Sequence, residues 1–416
     1  MRILVVGKGG REHALVTALH ESPTETEIFA FPGSDAIHTL AHPVDASDLA
    51  TLTAFMQRER IDLCVAGEES YLIKDEGLAA ACATIGVPCW GPPKESAQLE
   101  ASKDFAKQFM LRHGIPTADY QRASTLEAAK AAIRTYPTVL KFDGLAAGKG
   151  VAICEGPESA DVFLNEVFVD RRFGPGDLLI EEFLTGPEIS IFAAVADDDY
   201  QIFAPARDYK RIRDNDEGPN TGGMGAVSCR SGMIDPLLLE EIDRTIVAPT
   251  IRGLQADGLP YRGFLYFGLM LTPAGPKILE YNCRFGDPEA QAVLPLVEGD
   301  FARYIESGAR GKLNRDLIQF SPDWSVCVIL ASAGYPDNVR TGAPISGLDT
   351  VSDVRVYHAG TQRDSSGAYR TSGGRVLAVV GRGASREAAV TKAHAEAAKI
   401  HFADCQRRTD IGRLHF

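Results

Sequence analysis

Lys141-Phe142-Asp143-Gly144-Leu145-Ala146-Ala147-Gly148-Lys149-Gly150-Val151 is the stretch that decides how this chain folds. Three glycines and two alanines join one apolar segment, Val139 to Phe142, to another, Val151 to Cys154, so backbone amides can approach an anion unobstructed. A Walker loop needs Ser or Thr after the lysine and a helix beyond it; here Gly150 follows Lys149 and a strand follows the loop. The pattern is a flap over phosphates carried between two strands. A flexible hairpin tip is the plain alternative. Lys141 favours the anion reading, because a point charge at the strand end faces the same loop. Lys103, after Glu100-Ala101-Ser102, is a second candidate that alone reads as a surface lysine.

Downstream, Leu279-Glu280-Tyr281-Asn282-Cys283-Arg284-Phe285-Gly286-Asp287-Pro288-Glu289 is an apolar strand ending in polar groups. Glu280 and Asn282 are two residues apart and project from one face of an extended chain. Together they offer oxygens to a hard cation such as Mg2+, which keeps other positions for water and phosphate. Arg284 continues the period with a planar fork suited to carboxylate or phosphate. Glu280 taken singly reads as half of an ordinary ion pair, and the whole string carries the site. Cys283 reads as a packed thiol.

Between these stretches, Glu181-Glu182-Phe183-Leu184 runs from a strand into a linker, with Glu188 four residues on. Such a segment can give a nucleobase backbone partners and a ribose a carboxylate, although exposed acids on a strand are the alternative. Asn220-Thr221-Gly222-Gly223-Met224-Gly225-Ala226, preceded by Asp208-Tyr209-Lys210-Arg211, reads either as a mobile surface loop or as a substrate clamp. At the other end, Gly7-Lys8-Gly9-Gly10-Arg11-Glu12-His13 follows the first strand and opens a helix. Glu12 occupies the third glycine of a dinucleotide fingerprint and no acid ends the second strand, which disfavours a dinucleotide. Helix amides with Arg11 still make a monophosphate site. His13 reads as a packed residue.

The chain has 416 residues and a formal charge of -13, which disfavours nucleic acid and anionic membranes as partners. Its eight cysteines form no regular framework, and no apolar stretch is long enough to span a bilayer or to serve as a signal peptide. A cytoplasmic protein is expected. Strands at Ile3–Val6, Glu27–Phe31 and Ile61–Ala66 alternate with helices and predict a parallel sheet in a first domain, residues 1–101. Lys94 to His113 is expected to be helical. A central domain takes residues 102–122 and 188–316, a small inserted lid 123–187, and an α+β domain 317–416. The fold class is therefore α/β and α+β multidomain. Asp235 is expected to cap a long helix with Pro236 in its first turn.

These motifs in this order resemble the phosphoribosylamine-glycine ligase (glycinamide ribonucleotide synthetase) family of the ATP-grasp superfamily, from end to end. Its most specific pieces are Gly9-Gly10-Arg11-Glu12-His13-Ala14, Asp143 to Gly150, Gly218 to Gly225 and Arg284 to Glu289. The resemblance implies a ligase of purine biosynthesis that uses ATP and Mg2+ or Mn2+ to couple glycine to 5-phosphoribosylamine through a glycyl phosphate. It implies that Lys103, Lys141, Gly144, Gly148, Lys149 and Gly150 hold ATP phosphates. Glu181, Glu182 and Leu184 would hold the adenine, and Glu188 the ribose. Glu280 and Asn282 would hold metal, and Arg284, Asp208 and Lys141 would serve catalysis. Asn220, Thr221, Gly222 and Gly223 would hold glycine with Arg284, and Gly9, Gly10, Arg11 and Glu12 the phosphoribosyl group. A monofunctional monomer or homodimer is expected.

The chain departs from the family pattern at Phe142, Tyr209, Ser34 and Gly67-Glu68-Glu69. It also lacks an acid in Tyr266-Phe267-Gly268-Leu269-Met270, where many ATP-grasp enzymes carry a second metal ligand. Two alternatives stay open on sequence: an ATP-grasp ligase or carboxylase with another substrate, and a non-catalytic nucleotide-binding regulator. A nicotinamide-dependent oxidoreductase is disfavoured by Glu12.

Overall fold

The computed structural model describes residues 1–146 and 150–413. Arg2–Gly7 is the central strand of a five-stranded parallel sheet ordered His42–Pro43, Glu27–Pro32, Arg2–Gly7, Leu63–Ala66, Cys89–Trp90. Its run Ile3-Leu4-Val5-Val6 is fully buried, as a parallel strand covered on both faces must be. Ile3 and Val5 enter one core while Leu4 and Val6 enter the other. The third strand begins at Leu63, two residues later than expected, because Asp62 instead receives the Arg2 N–H at the sheet edge.

The expected helix over Lys94–His113 is two helices, Gln98–Ala101 and Lys103–Arg112, split at Ser102. Ser102 is extended, and its hydroxyl accepts from Phe105 N. The reason lies forty residues away: Asp143 of the glycine loop accepts from the Lys103 backbone N–H at 2.6 Å and from the Ser102 hydroxyl at 3.1 Å. A carboxylate at this helix start is stabilised by the free amides there.

The lid is a four-stranded antiparallel sheet ordered Tyr120–Ala123, Leu178–Glu182, Thr138–Phe142, Val151–Cys154, with its own core around Leu140, Phe142, Phe163, Leu164 and Ile180. The strand-loop-strand reading of the glycine stretch is thus realised, with Thr138–Phe142 paired antiparallel to Val151–Cys154. Phe142 fits under the loop because Gly144 and Gly176 leave room, each a site where a Cβ would come within 2.8 Å of the ring.

A nine-stranded sheet forms the body. Its order is Gly275–Asn282, Arg262–Thr272, Glu188–Ala196, Ala206–Asp208, Gly225–Cys229, Trp324–Ala331, Arg375–Gly383, Arg355–His358, with Asp199–Ile202 paired beside Glu188–Ala196. The C-terminal strands therefore continue the central sheet through the antiparallel pairing of Gly225–Cys229 with Trp324–Ala331. Asp235 caps the helix Pro236–Ile242 by accepting from Leu237 N. Tyr209 is buried, accepts the Gly412 N–H at 3.1 Å, and lies beneath the Arg408 guanidinium, so it anchors the C-terminal segment. Among the described residues, no helix is long and apolar enough to cross a membrane.

Candidate active site

The edge hairpin of the central sheet carries an irregularity that sets the site. Gly268 pairs with Glu280 and Leu269 with Ile278, so Leu279 is an extra residue on its strand. A bulge of this kind leaves one residue out of the ladder and re-aims its neighbours. The Leu279 carbonyl accepts from Lys141 Nζ at 3.0 Å, joining the hairpin to the lid. Gly268 opposite Glu280 keeps that position open, since a Cβ there would meet Glu280 Cγ at 3.2 Å.

Lys103, Lys141, Gly144, Gly150, Glu181, Glu280, Asn282 and Arg284 line one cavity between lid and body. Lys103 Nζ donates to the Gly144 carbonyl at 2.9 Å, holding the first half of the loop over the cavity. Burial lowers the pKa of Lys103, opposed by the Glu280 carboxylate. Glu181 is buried, and its Oε2 pairs with Lys141 at 2.9 Å and with Lys107 at 3.3 Å. Its Oε1 is buried without a hydrogen-bond partner in the protein. A buried unpaired carboxylate oxygen is costly, and an N–H donor of a bound ligand would satisfy it. Lysines for phosphates, an orphaned acceptor, and adjacent oxygen donors at Glu280 and Asn282 fit ATP with a hard divalent cation.

Other expected residues fall elsewhere. Glu182, alternating with Glu181 along the strand, is exposed and pairs with Lys277 at 3.2 Å on the far side. Leu184 is buried in the linker leading to Glu188. Glu188 accepts from Lys210 Nζ at 2.9 Å, and Asp208 lies 3.9 Å from the same nitrogen. Burial pushes the Asp208 carboxyl up, while Lys210 is held well above its ordinary value by Asp208 and Glu188 against the effect of burial. Gly148 and Lys149 lie outside the described residues.

The glycine-dense loop is tied down rather than loose. Thr221 donates to the Lys210 carbonyl at 2.7 Å, and Gly222 N–H donates to the Tyr335 hydroxyl at 2.9 Å. Arg375 donates to the carbonyls of Gly222 at 2.6 Å and Asp287 at 2.5 Å. Gly223 has φ +111, and a Cβ there would meet Pro288 at 2.5 Å. Asn220 pairs with Arg211 in a short two-stranded ribbon. The loop and the Arg284-to-Glu289 string are thereby held against each other.

Arg284 sits in a chain of buried charges. Its Nη2 lies 2.7 Å from Glu100, its Nε 3.0 Å from Glu69, and its Nη1 donates to the Phe285 carbonyl. Glu69 also reaches Arg11 at 3.4 Å, and Arg11 pairs with Glu12 at 2.7 Å. Burial raises the Glu100 carboxyl to about 7 in spite of Arg284. Burial also opposes ionisation of Glu69, but Arg284 and Arg11 hold it down to about 2. At the helix start Glu12 folds back so that Oε2 accepts the Gly9 N–H at 2.6 Å. Gly7 and Gly67 make room for it, since a Cβ at either would come within 2.5 Å of Glu12 Cγ. Gly10 approaches Gln291, where a Cβ would lie 2.6 Å from its amide nitrogen. A carboxylate thus stands where a dinucleotide fold places glycine. His13 is buried, accepts from His358 N at 2.9 Å, and is pushed down to about 4 by burial, which makes it a neutral packed imidazole.

Glu100, Lys107 and Arg375 carry part of the site's electrostatics without a role assigned on sequence, and Glu69 and Glu289 do so after being quoted only within longer motifs. Glu69 was the most findable, because it follows the C-terminal end of Leu63–Ala66, where parallel sheets gather ligands. Glu289 is buried against Ser190 at 3.2 Å, and burial with the nearby Asp208 raises it to about 7.

Family models described as the phosphoribosylglycinamide synthetase N domain, ATP-grasp (A) domain and C domain match residues 1–100, 101–290 and 325–414. A phosphoribosylamine–glycine ligase of Allochromatium vinosum is 43% identical over 429 aligned positions, covering 99% of this chain and 98% of the relative. The crystal structure of phosphoribosylamine–glycine ligase from Thermotoga maritima superposes with a TM-score of 0.85 at 34% identity, covering 99% of this chain and all of that one. The biotin carboxylase domain of Hydrogenobacter thermophilus 2-oxoglutarate carboxylase, solved with MgADP and bicarbonate, has a TM-score of 0.72 at 18% identity, over 98% of this chain and 91% of that one, and shares the fold.

Proposed function

Because the chain belongs to the phosphoribosylglycinamide synthetase family, we propose that it uses ATP to join glycine to 5-phosphoribosylamine, giving glycinamide ribonucleotide, ADP and phosphate. The single observation that supports this best is the cavity itself. Lys103, Lys141, Glu280, Asn282 and Arg284 share its lining with Gly144 and Gly150 of the glycine loop.

In this reading Lys103, Lys141 and the amides of the Gly144–Gly150 loop hold the phosphates, and Glu181 Oε1 takes a donor from the adenine. The Leu184 backbone lies along the base, and Glu188 receives the ribose hydroxyls. Glu280 and Asn282 hold Mg2+ or Mn2+, which neutralises charge on the phosphates when bound. Glycine lies between Arg284 and the Asn220–Gly223 loop, with its ammonium group toward Asp208. Its carboxylate attacks the γ-phosphate, and the bond to the leaving ADP breaks as glycyl phosphate forms. The amine of 5-phosphoribosylamine, seated at Gly9, Gly10, Arg11 and Glu12, then displaces phosphate from the acyl carbon and loses a proton. The lid keeps water from hydrolysing the acyl phosphate. Eight free thiols and the acidic charge fit a reducing cytoplasmic setting.

The test supplies purified protein with ATP, Mg2+, glycine and 5-phosphoribosylamine generated in situ. ADP and glycinamide ribonucleotide should appear in equal amounts. ADP formation at the same rate without glycine would overturn the assignment.

A further inference from the structure

Cys64, Cys82 and Cys89 are far apart in sequence, yet the fold gathers them. Their sulfur atoms all lie within 4.8 Å of one another, the one such group of three or more potential ligands among the described residues. Cys64 and Cys89 are register partners on adjacent parallel strands, and Cys82 projects from the helix Leu78–Thr84 packed above them. A fourth sulfur adjoins the group: Met56 Sδ, 1% exposed on the helix Leu49–Glu59, lies 3.9 Å from Cys82 Sγ. Two strands and two helices thus fix four soft donors, and of the three cysteines Cys89 alone is a partly exposed residue.

From this geometry we propose that Cys64, Cys82 and Cys89, with the Met56 thioether, form a binding site for a soft monovalent cation of the Cu(I) type. Thiolate and thioether ligands select soft cations, and no hard oxygen or imidazole ligand joins the group. The site lies in an apolar core with Leu52, Leu72 and Leu78, where net charge is costly. A monovalent cation brings less net charge into that core than a divalent one would. The site is separate from the ATP cavity, which contains none of these residues.

The test titrates the reduced full-length protein with Cu(I) without oxygen, against a chromophoric Cu(I) chelator. One equivalent per chain should be withdrawn from the chelator. The C82A variant, which removes only one small buried atom group, should lose that equivalent while keeping ligase activity, and M56L should weaken retention roughly tenfold. Failure of the wild-type protein to compete with the chelator would overturn the site, as would an undiminished equivalent in folded C82A. Tighter retention of Zn(II) than of Cu(I), measured in the same way, would overturn the monovalent assignment. If C82A does not fold, X-ray absorption on the wild-type complex decides: a sulfur-only shell supports the site, and nitrogen or oxygen ligands refute it.

Discussion

Glu69 Oε2 lies 3.0 Å from Arg284 Nε, so a carboxylate just past an N-terminal strand is locked to a guanidinium just beyond the edge hairpin of residues 262–282. In the proposed reading, the contact joins the glycine end of the site to the phosphoribosyl end. Glu69 also faces Arg11 at 3.4 Å, and Arg284 faces Glu100 at 2.7 Å, so removal of one member leaves buried charge uncompensated. Glu69→Ala should lower kcat/KM for both glycine and 5-phosphoribosylamine by roughly 10- to 100-fold and cost about 1–3 kcal/mol of stability. Nucleotide affinity, measured by calorimetry with ADP, should stay within about threefold, because the ion pairs of Glu69 among the described residues go to Arg284 and Arg11 rather than to the two lysines. A change confined to ATP binding would contradict this placement.

Glu280→Ala should reduce ligation by at least about 100-fold while leaving the melting temperature close to wild type, since the side chain is half-buried and lines an open cavity. Gly268 opposite offers no replacement carboxylate. For that reason Gly268→Glu in the Glu280→Ala background should not restore activity, because a Cβ at 268 already crowds Tyr266 at 3.1 Å. Near-normal turnover by Glu280→Ala would refute the metal assignment.

Arg284→Lys should be nearly as damaging as Arg284→Ala. Three separate acceptors, Glu69, Glu100 and the Phe285 carbonyl, surround the guanidinium, and an ammonium cannot span them in one plane. Saturation with glycine should rise in KM by about tenfold or more. Unchanged glycine affinity in the lysine variant would leave Arg284 a purely structural role.

How much of this was legible in the sequence depended on the range of the interaction. The parallel sheet and the strand-loop-strand lid follow from short apolar runs and their punctuation, which are local signals. Ser102 was hidden inside an apparently continuous helix because its break depends on Asp143, a partner forty residues away. The merging of C-terminal strands into the central sheet is equally nonlocal, resting on the register of Gly225–Cys229 with Trp324–Ala331. Within the site, Lys141, Glu280 and Asn282 were readable from spacing and motif and Lys103 only through the family resemblance, and the structure brings all four to one cavity. Glu100 was quoted only as a neighbour of Lys103, since nothing local shows that it will meet an arginine 184 positions on. Glu182 illustrates the reverse: its type matches Glu181, but strand alternation turns it outward to Lys277.

The loop gives a conformational prediction. Gly144 has φ +154, and a Cβ there would meet the Phe142 ring at 2.8 Å. Gly144→Ala should raise KM for ATP by about tenfold, through strain in the loop that Lys103 holds at the Gly144 carbonyl. Phe142→Ala in the same chain should recover only part of the loss, because the ring clash disappears while the unfavourable backbone angle persists. Full recovery would mean that packing alone, and not backbone conformation, accounts for the glycine.

Glu69 also gives the pH dependence of stability a defined direction. Its carboxyl is held down to about 2 by Arg284 and Arg11, against an ordinary value of 4.5. A carboxylate whose folded pKa is depressed contributes stability that is fully present above the unfolded value and is lost as pH falls toward the folded one. The gap in unfolding free energy between wild type and Glu69→Gln should therefore be constant from pH 7 to about 5 and should shrink progressively from 4.5 toward 2. Glu100 acts with the opposite sign: burial raises it to about 7, so its charged form weighs against the fold increasingly as pH rises from 4.5 to 7. Urea denaturation midpoints of wild type, Glu69→Gln and Glu100→Gln from about pH 2.5 to 8 separate the two. The Glu69→Gln curve should run parallel to wild type above about pH 5 and approach it only at the acidic end, as the wild-type advantage is lost. Glu100→Gln should remove part of the wild-type decline between pH 5 and 7. A wild-type advantage over Glu69→Gln that grew on acidification would show that Glu69 is not held ionised by the two arginines.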